Sequence, residues 1–429
     1  DEADGARHVL PEPQQECRLA VERVPLAVAK VLEHDSRHEE HVERREPGMG
    51  PAETGVDLQS FPEDEREAQA LRLIKEELQQ PFDLARGPMI RVQLLRLNLQ
   101  SHLFLVTMHH IVADAWSTNI FIGEVTQGYQ AATGGTAASL PELEIQYTDY
   151  AYWQQQRLRA DVLQEDLSYW REQLSGMPPA LELPFDRPRP PVQTFRGTLR
   201  SFTLSPNLIN ELAAFSRREE VTLFMTLLSA FNILMARYSG QRDIVVGTPT
   251  AGRTHAATET LIGLFLNMLV LRTDMHDDPT VSELLKRVRE VALGAYMHQE
   301  VPFERLVEEL QPERNLSHSP LFQVMFSLAN TQRQTLKLTG LEIAPVDIQS
   351  NTAKYDLSFV LEEHDSHLQL YVEYNTDLFD DTTIARMVMH YERLLNAMLA
   401  EPTARISKLT FLDPEELDQI LFEWNTTAQ

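Results

Sequence analysis

The segment Met108-His109-His110-Ile111-Val112-Ala113-Asp114-Ala115-Trp116-Ser117 sets two imidazoles side by side, with a carboxylate four residues after the second. It lies where an apolar run ends and a helical pattern begins, the kind of strand–helix turn at which α/β proteins tend to place chemistry. An unperturbed imidazole titrates near ~6.5, so at neutral pH it can accept a proton and return it. Three readings fit these residue types. Two imidazoles and a carboxylate are good ligands for zinc or iron. Adjacent strand residues point to opposite faces, however, so His109 and His110 do not readily share one ion, and no metal is assigned. A hydrogen-bonded core role suits a histidine at a strand end, and His109 is read that way. Asp114 fits a buried carboxylate paired with an arginine, serving the fold more than a reaction. The third reading makes His110 a general base or proton shuttle. No serine or cysteine stands in a nucleophile elbow. A base without a nucleophile suits direct transfer between two bound substrates.

The elements around this segment follow from periodicity. Residues 63–80 carry Ala68, Leu71, Ile74 and Leu78 on one stripe, the mark of an amphipathic helix. Residues 89–97 alternate apolar and polar side chains as a half-buried strand does, 98–102 turn the chain, and 103–108 return as a second strand. A helix is expected over 116–129 and a helical region over 147–174. Upstream, 19–32 reads as a helix and 35–50 as a mixed-charge loop with little apolar periodicity.

Residues 177–192 hold Pro178, Pro179, Pro184, Pro188, Pro190 and Pro191. Proline removes backbone donors and stiffens the chain, so this segment reads as a semi-rigid linker and a domain boundary. Beyond it come a strand over 195–204, a helix opened by Ser205-Pro206, and an apolar helix capped by Thr222 and running to Tyr238. Strands follow at 243–247, 264–272, 321–328, 357–361 and 368–374, with helices at 281–297 and 381–400. Both halves mix strands and helices, which predicts two α/β lobes with a cleft between them.

Composition narrows the function classes. The 429 residues are 43% apolar, enough for a large core, and that length suggests two or three domains. Acidic residues number 64 against 38 basic, a formal net charge of −26. Such a chain repels phosphate backbones and anionic lipid heads, so no general nucleic-acid or membrane-surface binding is expected. The single cysteine, Cys17, excludes an intramolecular disulfide and a zinc–thiolate cluster and suits a reducing cytoplasm. The polar, acidic start shows no signal peptide. The most apolar stretch, 223–236, is too short for a membrane span and contains Asn232, so it reads as a core helix.

The histidine segment resembles the HHxxxDG motif of condensation domains in nonribosomal peptide synthetases, and further matches follow in the family's order. Tyr147-Thr148-Asp149-Tyr150-Ala151-Tyr152-Trp153 is similar to YxDYAxW. Ile262-Gly263-Leu264-Phe265-Leu266-Asn267, continuing to Leu271-Arg272, resembles IGxFxNxxxxR. His298-Gln299-Glu300-Val301-Pro302-Phe303-Glu304 is similar to HQDxPFE, and Arg314-Asn315-Leu316-Ser317-His318-Ser319-Pro320-Leu321 to RDxSxxPL. The resemblance spans about 56–429. Phe422-Glu423-Trp424-Asn425-Thr426 resembles the segment that leads into an adenylation domain.

The resemblance implies an α/β fold of two chloramphenicol-acetyltransferase-like lobes in a V shape with a tunnel between them. The lobes are expected at 1–176, with 1–55 divergent or incomplete, and at 193–415. Residues 416–429 are expected to start the linker to a following adenylation domain. It implies an acyltransferase that joins a carrier-bound donor thioester to a carrier-bound acceptor amine. The phosphopantetheine belongs to the partner peptidyl carrier proteins, and no cofactor is held by the domain itself. By the same resemblance His110 is the catalytic residue, His109 supports the motif, and Asp114 pairs with Arg272. Ala115, Trp116, Asn267, Gln299 and Ser319 fall near the tunnel or the lobe contact. Two departures stand out. Ala115 replaces the family's glycine, and the opening SxAQxRLW motif is absent, with RHExLRTxF reduced to Arg37-His38-Glu39. They motivate an alternative, a catalytically impaired docking platform for carriers. An epimerisation domain, which shares the HHxxxD core, is a further alternative.

Overall fold

The computed structural model describes residues 52–159, 163–313, 315–329, 338–346, 351–364 and 366–423, of which 52–54, 159 and 345 by their backbone alone, together with the backbone of 23–33. Cys17, the 35–50 run, Arg314 and the segment from Trp424 onward lie outside the described residues. The first sheet has the order β2-β3-β4-β1-β9, built from β1 (Arg23–Glu33), β2 (Ala52–Asp57), β3 (Ile90–Arg96), β4 (Ser101–His109) and β9 (Leu341–Pro345). Only β2 and β3 run parallel; β4 pairs antiparallel with both β3 and β1. The stretch expected as a helix over 19–32 is thus a strand. Val24, Leu26 and Val28 alternate at period two and Pro25 opposes helix, so the partners β4 and β9 decide its state. Part of the first-lobe sheet comes from β9, in the second half of the chain.

Strand β4 explains why its sequence does not alternate in polarity. Leu103 and Leu105 pack with Ala70 and Ile74 of helix α1 (Glu63–Gln79), whereas Val106 and Met108 pack with Phe121 and Ile122 of helix α2 (Ala115–Thr133). A central strand covered on both faces reads as a continuous apolar run. Helices α3 (Tyr147–Arg159) and α4 (Gln164–Leu174) follow.

The second sheet has the order β5-β11-β10-β8-β6-β7, from β5 (Gly197–Thr203), β6 (Asp243–Thr250), β7 (Asn267–Asp274), β8 (Val324–Ala329), β10 (Leu357–Glu363) and β11 (Leu368–Asn375). It packs with α5 (Leu208–Arg218), α6 (Leu223–Ser239), α7 (Val281–Met297), α8 (Phe303–Leu310) and α9 (Asp381–Ala400); a short α10 (Pro414–Asp418) and one further helical turn, Gln419–Glu423, follow. Helix α6 is buried from Met225 to Met235, as a helix apolar on all sides must be. The Thr222 side chain accepts from the Met225 amide at its start, and left-handed Gly240 ends it. Helix α7 opens on a capping box between Thr280 and Glu283. The α5 helix starts at Leu208, after the expected Ser205-Pro206.

One boundary is displaced. Leu167, Trp170 and Leu174 of α4, with Leu181 and Leu183 of the proline-rich segment, already belong to the large core of the second sheet. The apolar face of α4 is covered there, so the seam between the two cores precedes α4 rather than falling at 177–192. No single described helix is long and apolar enough to cross a membrane; α5 and α6 qualify only as a pair bent by 102°.

Candidate active site

Strand β4 ends at His109, and His110 opens a short 3₁₀ turn, His110–Val112, that leads into the cap of α2. The two imidazoles do different things. His109 Nδ1 accepts from the Ile111 amide at 3.0 Å, and its ring meets Phe82 edge-on. An accepting Nδ1 leaves the proton of the neutral ring on Nε2. The His109 amide donates to the Met89 carbonyl and the His110 carbonyl accepts from Ala113, so the backbone on either side of the His110 side chain is tied down.

Asp114 is the N-cap of α2 and is 2% exposed. Its Oδ1 accepts from the Ser117 amide at 2.8 Å, and its Oδ2 accepts from the Phe265 amide at 3.0 Å, on the connection between β6 and β7. Its charge partner is Arg253, Nη2 to Oδ1 3.3 Å, with both side chains almost wholly buried. This corrects the pairing with Arg272. Arg272 grips Asp243 at 2.8 Å and donates to the Gln173 and Ser175 carbonyls at the C-terminal end of α4, where a cation suits the helix dipole. Arg272 therefore clamps α4 to the second sheet.

Arg253 also donates to Ser117 Oγ at 2.9 Å and to the Leu261 carbonyl at 2.9 Å, and its guanidinium lies 4.0 Å over the Phe265 ring. Burial pulls the Arg253 pKa below its ordinary value, and Asp114 partly opposes that. A buried pair of this kind holds position well, because removing one partner strands the other charge. Sequence reasoning does not single out Arg253. The cue lies in Gly252, which adopts φ +64° and whose Cβ would stand 1.9 Å from the Phe265 carbonyl oxygen.

The β6–β7 connection, 251–266, thus forms an arm reaching α2. Trp116 Nε1 donates to the Glu259 carbonyl at 2.9 Å, and Ser117 Oγ bonds both the carbonyl and the amide of Gly263. Helix α3 lies along the arm: Tyr147 Oη donates to the Leu264 carbonyl at 2.8 Å, and Tyr150 meets Phe265 at 4.5 Å. Burial raises both phenols, Tyr150 to about 12, so both stay protonated; Tyr147 donates, and Tyr150 Oη accepts from Gln154.

The other sequence-selected residues divide into two groups. Asn267 donates to the Gln299 and Val301 carbonyls and accepts from the Phe303 amide, and Gln299 accepts from Thr250 Oγ and donates to the Tyr296 carbonyl. Their amides fasten the 298–303 loop to β6 and β7. Ser319 accepts through its carbonyl from Gln323 in its own loop. Ala115 is exposed and stands at the first helical position of α2, where alanine is well accommodated, so the turn keeps its cap without the family's glycine. Among the described residues no three metal-ligating side chains converge.

The chain is 48% identical over 375 residues to a component of the linear gramicidin synthase of Brevibacillus parabrevis, covering 87% of this chain and 5% of that protein. It is 44% identical over 372 residues to chondramide synthase cmdD of Chondromyces crocatus, covering 87% of this chain and 10% of that one. The chain therefore spans a small fraction of the length of these relatives. Among solved structures, the X-domain from teicoplanin biosynthesis matches with a TM-score of 0.79 at 26% identity, covering 91% of this chain and 93% of that one. A four-domain nonribosomal peptide synthetase bound to AMP and glycine matches with a TM-score of 0.76 at 25% identity, covering 86% and 28%. The condensation-domain family itself matches residues 53–421, and with the histidine turn, its buried aspartate and the β6–β7 arm in place, the chain belongs to that family.

Proposed function

We propose that this chain is a peptide-bond-forming acyltransferase unit of a cytoplasmic nonribosomal peptide synthetase. In this reading a donor acyl group arrives as a phosphopantetheine thioester on one peptidyl carrier protein. The acceptor amine arrives on a second carrier, and an adenylation domain adjoins. The amine nitrogen attacks the thioester carbonyl carbon. The C–N bond forms, the C–S bond breaks, and the proton lost by nitrogen goes to the departing sulfur. An α-amine titrates near ~8, so much of it is already neutral at cellular pH, and orientation matters as much as proton removal. His110 orients the amine and relays the proton. The observation that carries the reading is the tie of the His110 turn, through Asp114, to Arg253 and the Phe265 amide. It holds one imidazole at the contact between the two halves, where a tunnel open to both carriers would run. His109, Asp114 and Arg272 serve as support in this proposal, and Ala115, Trp116, Asn267, Gln299 and Ser319 stand around the tunnel.

The test supplies two loaded carriers and measures the condensed product. The parent chain is expected to form it, and His110→Ala to lose most of the rate. Undiminished product from His110→Ala removes the role of His110, and no product from the parent, restored by Ala115→Gly, favours a docking platform instead.

A further inference from the structure

The arm that holds Asp114 has a root as well as a tip. Thr250 and Asn267 are the last pair of the β6–β7 ladder, and the arm 251–266 springs from between them. Gln299 grips both feet: its Oε1 accepts from Thr250 Oγ at 2.8 Å, and its carbonyl accepts from Asn267 Nδ2 at 2.9 Å. The next residue, Glu300, forms an ion pair with Arg157 of α3 at 2.5 Å. Helix α3 presents Tyr147, Tyr150, Trp153 and Arg157 at intervals of three and four, which is one helical face. Along that face Tyr147 meets the Leu264 carbonyl, Tyr150 meets Phe265, Trp153 meets His255, and Arg157 reaches Glu300 while lying 5.2 Å over the Trp153 ring.

Helix α3 thus joins the root of the arm to its tip. The arm is pressed against it: a Cβ on Gly263 would stand 2.1 Å from the Tyr147 ring. The aromatic cluster of Tyr150, Leu261 and Phe265 is separate from the cores of both sheets. The lengthwise placement of α3 is therefore set by this face and by its ion pair with Glu300.

We infer that Arg157 and Glu300 are positioning residues for the amide-forming reaction, acting through α3 and the arm on Asp114 and hence on His110. The inference rests on the function proposed above. The pair is about one-third exposed on each side, 36% and 31%, so its loss costs the fold little. Its effect is on where the arm sits. A sub-ångström shift of α3 displaces the Phe265 amide from Asp114, and rate is sensitive to such shifts, up to roughly 10²-fold for 1 Å.

The test compares amide formation between two loaded carriers by the full chain, Arg157→Glu, Glu300→Arg and the double exchange. Each single reversal is expected to lower kcat about tenfold with KM for either carrier within about twofold, and the double to recover to within about threefold of the parent. Amide exchange at Ser117 and Phe265, the donors to Asp114, is read in parallel. It is expected to quicken about tenfold in the singles and to return in the double. A double exchange no better than the singles, or a loss confined to KM, overturns the inference. His110→Ala is the reference. If it keeps full rate, the role of His110 fails while amide formation stands; if the parent chain forms no product, the function proposed above fails, and the exchange readout alone decides whether the pair positions the arm.

Discussion

Ser117 Oγ donates to the Gly263 carbonyl at 2.7 Å and accepts from the Gly263 amide at 3.0 Å, so one hydroxyl satisfies both backbone groups of a residue 146 positions away. Ser117 is fully buried, and Arg253 donates to the same oxygen. Water cannot replace the hydroxyl without opening the contact between α2 and the arm. Ser117→Ala strands buried polar groups and is expected to cost about 1–3 kcal/mol in denaturant unfolding. It is also expected to slow product formation, because Ser117 and Asp114 share the guanidinium. An unfolding midpoint within error of the parent would show that the contact is replaceable.

Gly263 has a second constraint. A Cβ there would lie 2.1 Å from Tyr147 Cδ2, inside any tolerable contact. Gly263→Ala therefore pushes the arm off α3 and is expected to destabilise the fold by about 1–3 kcal/mol, the usual range for overpacking. The same substitution in a Tyr147→Ala background has room for the methyl group. A non-additive pair of unfolding energies, with Gly263→Ala milder in that background, identifies the ring as the obstacle. Equal costs in both backgrounds would place the strain elsewhere.

Asp114 and Arg253 form the charge pair of the site, and both are almost wholly buried. Asp114→Asn keeps an oxygen to accept from Ser117 but leaves the guanidinium without its counter-charge. Breaking one side of such a pair costs about 3–5 kcal/mol. Replacing both, Asp114→Asn with Arg253→Met, leaves no stranded charge and is expected to be markedly less destabilising than the sum of the singles. Thermal unfolding of the four proteins decides it. Product formation is expected to stay low in the double, because the Phe265 amide and the cation no longer define the His110 turn.

These residues also show what local sequence can and cannot reveal. The bounds of α7 and α9, 281–297 and 381–400, are legible because apolar stripes and caps are written into neighbouring residues. The histidine turn is legible because an apolar run ends there and a helical pattern begins; that Asp114 caps the helix is seen only in the structure. The partner of Asp114 is not legible. Arg272 lies within β7 and Arg253 just past the end of β6, and only the path of the arm brings one of them to α2. The strand at Arg23–Glu33 is not legible as one because its partners, β4 and β9, lie far along the chain. The seam before α4 is hidden because the prolines at 177–192 mark a stiff segment, whereas Trp170 and Leu174 decide which core α4 joins.

The end of the described chain carries a pH-dependent clasp. His390 is buried on α9; its Nδ1 lies 2.7 Å from Tyr238 Oη and its Nε2 lies 3.0 Å from both Glu416 oxygens on α10. Burial raises the Tyr238 phenol to about 12, so it stays protonated and donates to Nδ1, which leaves Nε2–H to donate to Glu416. Burial pushes the Glu416 carboxyl up, but hydrogen bonds from the Asp413 amide and from His390 outweigh it, and the net pKa is below the ordinary 4.5. A carboxyl held below its ordinary value binds fewer protons folded than unfolded. Its stabilisation is therefore full above about 4.5 and is lost as pH falls through the folded-state value. Amide exchange in α10 is expected to rise on acidification through that window while the core helices stay protected. His390→Leu removes one of the bonds that lower Glu416, so its carboxyl resonance should titrate at higher pH and α10 should loosen earlier. A Glu416 titration unmoved by His390→Leu would assign the clasp to the Asp413 capping box and Arg393 instead.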